Sequence, residues 1–395
     1  MGNAFKPFLL VLIILAILTR ETFVVAMLYV YVGALLFGRV WSGLILNRVS
    51  FQRSFDNKVF PDELVPVQVR VTNRSWLPAV WLRVQDYFPL EIADQRSFHQ
   101  VLSLGPRETA TLAYNLKTQK RGTYAVGPFV ISSGDLLGMN PEKEIEGPAD
   151  HLTVYPRVVA FSEVRLPSRS PMGSMRARQP VFEDPTRPAG KRDYQPGDSL
   201  RRIDWKSTAV TGRLQTKLFE ASISLETMLF LNLNAEDYPL RTRYEATELA
   251  IVVAASLANW IIAQRQAVGL ATNAVDPFTV DSQAIPLPAR KGRPHLMRIL
   301  ELLARVRALE SNGIQALINQ QRVRLNWGTT LVVITSNANQ ALLDELLQAR
   351  RSGLLPVIIL CGENSENRKV LQICKLMHIP ATEFRSERDL DQWRK

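Results

Sequence analysis

Two wholly apolar runs open the chain, at residues 8–18 and 23–37, separated by Thr19-Arg20-Glu21-Thr22. Hydrophobicity on every side predicts helices that meet lipid or a dry interior all round, because a surface helix keeps one polar face. Each run falls short of the roughly 20 residues that cross a bilayer, and residues 5–7 and 40–46 can extend them. The expectation is a transmembrane helical hairpin over residues 1–47. A re-entrant or interfacial pair is the alternative that the short lengths leave open. A cleaved leader is a second, but the first run lacks a small-x-small cleavage site and another apolar run follows at once.

From residue 48 to 160 the pattern shortens. Val65, Val67, Val69 and Val71 are separated by Pro66, Gln68 and Arg70, and Ala110, Leu112, Tyr114 and Leu116 repeat the alternation. Period two is the mark of half-buried strands. Turn residues punctuate them at Asn73-Arg74-Ser75, Gly105-Pro106, Arg121-Gly122 and Gly127-Pro128. No helical period of similar length intervenes, so an antiparallel β-sandwich is expected.

Residues 161–190 are rich in Pro, Ser and Arg and have no period, so residues 161–220 read as a linker. Beyond them, over residues 221–395, short apolar runs at 228–233, 268–272, 331–335 and 355–360 alternate with helical patterns at 244–265, 296–309 and 340–351. Gly313 and Gly353 are expected to close the last two helices. Alternation of this kind predicts a doubly wound α/β domain. The apolar stretch at 249–263 contains Ser256 and Asn259 and lies between strands, which favours a buried core helix over a third membrane span.

Charge sharpens the picture. The chain carries 48 Lys and Arg against 37 Asp and Glu, a net of +11, and residues 161–220 hold 12 against 7 of these. The linker is therefore basic. Lys6 precedes the apolar pair and Arg39, Arg48 and Arg53 follow it, so the positive-inside rule puts both ends, and the body of the chain, in the cytosol at the inner membrane. The two cysteines, Cys361 and Cys374, have neither metal nor redox spacing, and His99, His151, His295 and His378 are scattered. These read as structural or surface residues.

The densest cluster of unusual residues is Arg192-Asp193-Tyr194-Gln195-Pro196-Gly197-Asp198-Ser199-Leu200-Arg201-Arg202-Ile203-Asp204-Trp205-Lys206. Pro196-Gly197 suits a type II turn. Asp198, Arg201 and Asp204 follow at intervals of three, so that in helical turns they share a face and pair. One reading has buried Asp–Arg pairs and Trp205 weld the linker to the α/β domain; the other makes the block a docking surface. The block resembles the Tyr-x-Pro-Gly-Asp-x-x-Arg-x-Ile-Asp-Trp signature of the bacterial domain-of-unknown-function-58 family. Lys120-Arg121-Gly122-Thr123-Tyr124, Gly127-Pro128 and Gly134-Asp135-Leu136-Leu137-Gly138 extend the likeness into the sandwich, whereas Val210 stands where many members carry Arg. The resemblance implies a membrane hairpin, a sandwich and a von Willebrand factor type A-like domain, in a protein that acts with a MoxR-type AAA+ ATPase.

Many type A domains hold Mg²⁺ with Asp-x-Ser-x-Ser after their first strand and a further carboxylate after a later one. Here the corresponding residues are Asn232-Leu233-Asn234-Ala235-Glu236 and Thr335-Ser336-Asn337. Asn232, Asn234, Glu236 and Ser336 thus mark a degenerate site, and losing two formal charges disfavours a hard cation unless Glu236 or Asp237 compensates. No phosphate loop, dinucleotide fingerprint or nucleophile elbow is present. No enzyme activity, cofactor or metal is expected. A membrane-anchored adaptor or assembly factor that binds the ATPase and other protein clients is the leading expectation. The alternative is a basic patch for nucleic acid or anionic lipid, although no nucleic-acid fold signature supports the former.

Overall fold

A computed structural model describes residues 5–93, 95–134, 142–162, 183–196, 198–221, 226–279 and 283–393. The chain divides into two compact units, Met1–Arg157 with Leu300–Arg305, and Val158–Ile299 with Val306–Lys395.

The first unit begins with helices α1 (Phe5–Thr19) and α2 (Thr22–Leu46), joined where Arg20 takes a positive φ of 49°. At 1.5 Å per residue, the 25 residues of α2 span about 37 Å, enough for a hydrocarbon core of about 30 Å. The 15 residues of α1 span about 22 Å by the same rise. Phe23, Tyr29, Val30, Leu36 and Phe37 of α2 are exposed, an arrangement that water penalises and lipid does not. At its end, Ile45 and Leu46 enter the core of the β-domain, with Trp41 packed against it.

Ten strands follow: β1 (Val49–Ser54), β2 (Lys58–Val59), β3 (Leu64–Asn73), β4 (Ala79–Tyr87), β5 (Ser97–Leu104), β6 (Thr109–Lys117), β7 (Gly122–Val126), β8 (Phe129–Ser133), β9 (Lys143–Gly147) and β10 (Asp150–Val154). They form three sheets, ordered β1-β3-β6, β2-β10-β7 and β5-β4-β8-β9, around one apolar core. Val65, Val67, Val69 and Val71 are all buried there, as their alternation predicts. Fully burying a side chain of this kind contributes about 1.5–3 kcal/mol, so these four valines are a substantial part of what holds this layer together. Pairing is antiparallel except for the two-residue strand β2, which runs parallel to β10.

In the second unit, part of the segment read as a linker forms regular structure, and residues 163–182 of it lie outside the described residues. Phe161 packs edge-on against Trp393 at 5.4 Å, and β11 (Glu183–Asp193) pairs antiparallel with β12 (Gln215–Ala221), with irregular register on either side of Pro188. Proline removes a ladder donor and is tolerated at such bulges, which is why no alternation is visible. Between these strands lies the short helix α3 (Trp205–Thr211).

The remainder is α/β: β13 (Glu226–Leu231), α4 (Arg243–Ala263), β14 (Ala267–Thr272), β15 (Leu287–Arg290), α5 (Arg293–Arg305), α6 (Ile314–Arg322), β16 (Thr330–Thr335), α7 (Gln340–Arg351), β17 (Leu355–Cys361), α8 (Asn367–Leu376) and β18 (Ala381–Phe384). The sheet order is β15-β14-β13-β16-β17-β18, parallel throughout except at the β15 edge. Met228, Phe230, Leu331, Val333, Ile358 and Leu360 pack with α6, α7 and α8 on one face. The intervening Leu229, Leu231, Val332, Ile334 and Ile359 are buried too, as expected when helices cover both faces. Helix α4 packs along the central strands, and its most apolar window is 72% buried against 6% for α2, so it is a core helix. Helix α5 stops at Arg305, short of the expected 309, and Gly313 caps the start of α6 instead of closing α5. Gly353 does follow α7, at φ +86°, where a side chain would run into Trp327.

Candidate functional site

Strand order reverses between β13 and β16, which start opposite-going connections, and the loops leaving their carboxyl ends are the usual place for a site in such a sheet. Asn232, directly after β13, is buried here and uses its whole hydrogen-bonding capacity. Its Nδ2 donates to Asp237 Oδ2 at 2.8 Å and to Thr335 Oγ1 at 3.0 Å. Its Oδ1 accepts from the Asn234 backbone N–H at 3.1 Å and from Asn273 Nδ2 at 2.8 Å. Asn273, beyond β14, also accepts from the Leu233 N–H and donates to the Asn312 carbonyl. Asn234 Oδ1 accepts from the Ser311 N–H, and the buried Tyr238 hydroxyl, its pKa pushed up chiefly by desolvation, donates to the Asn232 carbonyl at 2.6 Å. Four loops are thereby tied through three amides.

The predicted positions separate on inspection. Asn232, Asn234 and Asp237 converge, with Thr335. Glu236 faces solvent, and Ser336 is fully buried, its Oγ without a hydrogen-bond partner among the described residues. Asn273 was not singled out from sequence, and Thr335 entered only as the neighbour of Ser336. A lone Asn or Thr beside a strand carries no pattern, and only the parallel pairing of β14 and β16 with β13 brings them to Asn232. Around this lock, Leu240, Tyr244, Phe278, Ile285 and Leu309 lie exposed at 50% or more.

The signature block folds as the tip of the β11–β12 hairpin. Asp198 Oδ1 meets Arg192 Nη2 at 2.7 Å, and its Oδ2 accepts from the Gln195 N–H. That backbone donor first, and Arg192 after it, hold the carboxyl below the usual range. Asp204 pairs with Lys191 Nζ at 2.9 Å and caps α3 by accepting from the Ser207 N–H, and both lower its pKa, Lys191 most. Gly212, at φ +66°, closes α3 in the left-handed conformation that glycine takes without strain. Tyr194 N–H donates to the Leu214 carbonyl, Pro196 is exposed, and Gly197 lies outside the described residues. The expected pairing through Arg201 is overturned. Arg201 is exposed, and the two carboxylates take Arg192 and Lys191, because β11 runs beside the tip and offers nearer cations. Trp205, expected as a buried weld, is 68% exposed.

A third cluster, in the β-domain, gave no sequence signal. Arg53 of β1 meets Asp86 of β4 and Asp150 of β10, each at 2.7 Å, and the Tyr114 hydroxyl of β6 donates to Asp86 at 2.5 Å. Burial raises the pKa of both Asp86 and Tyr114. The cluster links all three sheets and reads as structural. His295 is likewise structural, buried with Nε2 donating to the Val268 carbonyl, and desolvation lowers its pKa.

Residues 190–351, from the hairpin through α7, match the family described as Protein of unknown function DUF58. The likeness is to this segment, less than half of the chain. A relative, the uncharacterized protein YeaD of Bacillus subtilis (strain 168), is 24% identical over 309 residues, which cover 74% of each chain. Among solved structures, an aerotolerance-related membrane protein from Bacteroides fragilis NCTC 9343 matches 43% of this chain and 94% of its own at 16% identity and a TM-score of 0.29. The CARDB domain of the PF1109 protein from Pyrococcus furiosus matches 27% and 91% at 17% identity and a TM-score of 0.20. TM-scores this low mark local likeness only. Both the amide lock and the signature tip fall inside the DUF58 segment.

Proposed function

We propose that the protein is a membrane-anchored adaptor or assembly factor, with its body in the cytosol, that works by binding other proteins through the carboxyl edge of the α/β sheet. The observation that carries this reading is the amide lock itself, a rigid multi-loop platform rimmed by exposed Leu240, Phe278, Ile285 and Leu309. Apolar side chains held out on a fixed base are the raw material of an interface. A von Willebrand factor type A-like assignment is supported by the sheet order and its single antiparallel edge. The metal of many type A domains fits this edge poorly, because every lone pair of the Asn232 amide oxygen is engaged and its nitrogen presents hydrogens to Asp237 and Thr335. The amide hydrogens already satisfy Asp237 and Thr335, so the proposed contact calls for no metal. Cys361 and Cys374 are buried, and burial pushes their thiols up, away from nucleophile activation.

The partner class we propose, on the resemblance of the signature block, is a MoxR-type AAA+ ATPase. Full-length protein in detergent is expected to retain the cognate ATPase in a nucleotide-dependent manner, with retention unchanged by EDTA and reduced at least tenfold by Leu240→Asp. Absence of retention with ATP, with ADP and without nucleotide removes the ATPase as partner. Retention that survives Leu240→Asp and Phe278→Asp together removes the surface.

A further inference from the structure

The tip of the β11–β12 hairpin offers a second surface that the carboxyl edge does not use. Between residues 200 and 218 the chain carries Arg201, Arg202, Lys206, Arg213 and Lys217 against one carboxylate, Asp204, whose charge Lys191 meets. All five cations are exposed. Interleaved with them, Leu200 and Trp205 are each 68% exposed, Val210 83% and Leu214 43%. The tip is not loose. Asp204 caps α3, Gly212 closes it, Gln215 N–H donates to Thr208 Oγ1 and the Asp204 N–H to the Gln215 carbonyl. An ordered scaffold thus holds large apolar groups in solvent among cations.

We propose that this hairpin tip docks on an anionic lipid surface, with Trp205, Leu200 and Val210 entering the headgroup boundary and the cations meeting lipid phosphates. Three observations select lipid. Charge is complementary to an anionic leaflet, and Arg and Lys beside such a surface are attracted to it. Tryptophan favours the membrane–water interface, where its ring is half solvated and its N–H finds a partner. Leu200, Val210 and Leu214 are aliphatic, which an acyl boundary rewards, whereas single-stranded nucleic acid wants a series of stacking aromatics and Trp205 is the one exposed aromatic in residues 200–218. A chain already anchored by α2 meets headgroups at high effective concentration, so a weak contact suffices. The inference rests on that anchoring and not on the ATPase partnership.

The test uses full-length protein reconstituted into phosphatidylcholine vesicles with and without phosphatidylglycerol, the lipids brominated near the top of the acyl chain. The quenching difference between wild type and Trp205→Phe isolates Trp205 from the other tryptophans. It is expected to be large with phosphatidylglycerol and at least fivefold smaller without it, in high salt, or in Arg201→Glu/Lys206→Glu/Arg213→Glu, a variant that keeps Trp205 and alters only exposed groups. Carbonate-resistant co-flotation reports the anchor separately and is expected to be unchanged in that variant. No Trp205 quenching in vesicles that co-float overturns the proposal. So does quenching indifferent to lipid charge, or displacement of the tip from lipid by duplex DNA at equal phosphate. Loss of co-flotation overturns the anchoring instead.

Discussion

The side chain of Arg53 is 3% exposed and that of Asp86 fully buried, whereas in the pair Arg83–Glu142 both stand about two-fifths exposed. The two pairs have the same chemistry and similar lengths but different consequences. Removing one member of a buried pair leaves the other charge in a low dielectric, at about 3–5 kcal/mol, while an exposed pair is worth about 0–1 kcal/mol. Asp86→Ala leaves Arg53 with Asp150 as its remaining carboxylate and takes the acceptor from the Tyr114 hydroxyl, and it is expected to lower unfolding stability more than Arg83→Ala does. Equal denaturation midpoints for the two variants would contradict the assignment. From sequence, Arg53 reads as one more basic residue flanking the membrane segment; its burial withdraws it from that role and leaves Lys6, Arg39 and Arg48.

At the scale of elements, the hairpin that carries the signature depends on two carboxylates whose pKa values are lowered on folding. A depressed folded pKa means a contribution fully present above the unfolded value, about 3.9 for Asp, and lost as pH falls through the lower folded value. The amides of Gln195 and Ser207, the backbone donors to these carboxylates, are therefore expected to lose protection against exchange as pH falls below about 4. Asp204→Asn keeps a capping oxygen and loses the Lys191 pair, so Ser207 protection in that variant should become indifferent to pH over the same range. Wild-type protection that is flat down to about pH 2 would show that neither carboxylate supports the tip. The signature was legible as a motif because its residue types are unusual together. Which cation meets which carboxylate was not, since spacing of three along the chain competes with strand β11 lying alongside.

For the molecule as a whole, the anchoring helices and their basic flanks predict that both ends of the apolar pair face the cytosol. A C-terminal fluorescent protein is expected to fluoresce and a C-terminal alkaline phosphatase to stay inactive. Active phosphatase would reverse the orientation. The long periodic segments were readable from the chain alone. Uniform hydrophobicity marked α1 and α2, alternation marked β3 and β6, and buried runs marked β13, β14, β16 and β17, because each is a local repetition of one burial pattern. Strands β15 and β18, four residues each, and the short helices α6 and α8 were not readable, since a few residues do not establish a period and their pairing or packing decides them. The Asn232 position was visible as a lost carboxylate. Asn234 and Asp237, 2 and 5 positions on, meet this amide locally; that Asn273 and Thr335, 41 and 103 positions away, complete its saturation follows only from parallel strand order, which brings them within hydrogen-bond reach. Local pattern determines which faces are apolar, and tertiary pairing alone decides which polar groups meet there, because a hydrogen bond needs ångström proximity that no local repeat encodes.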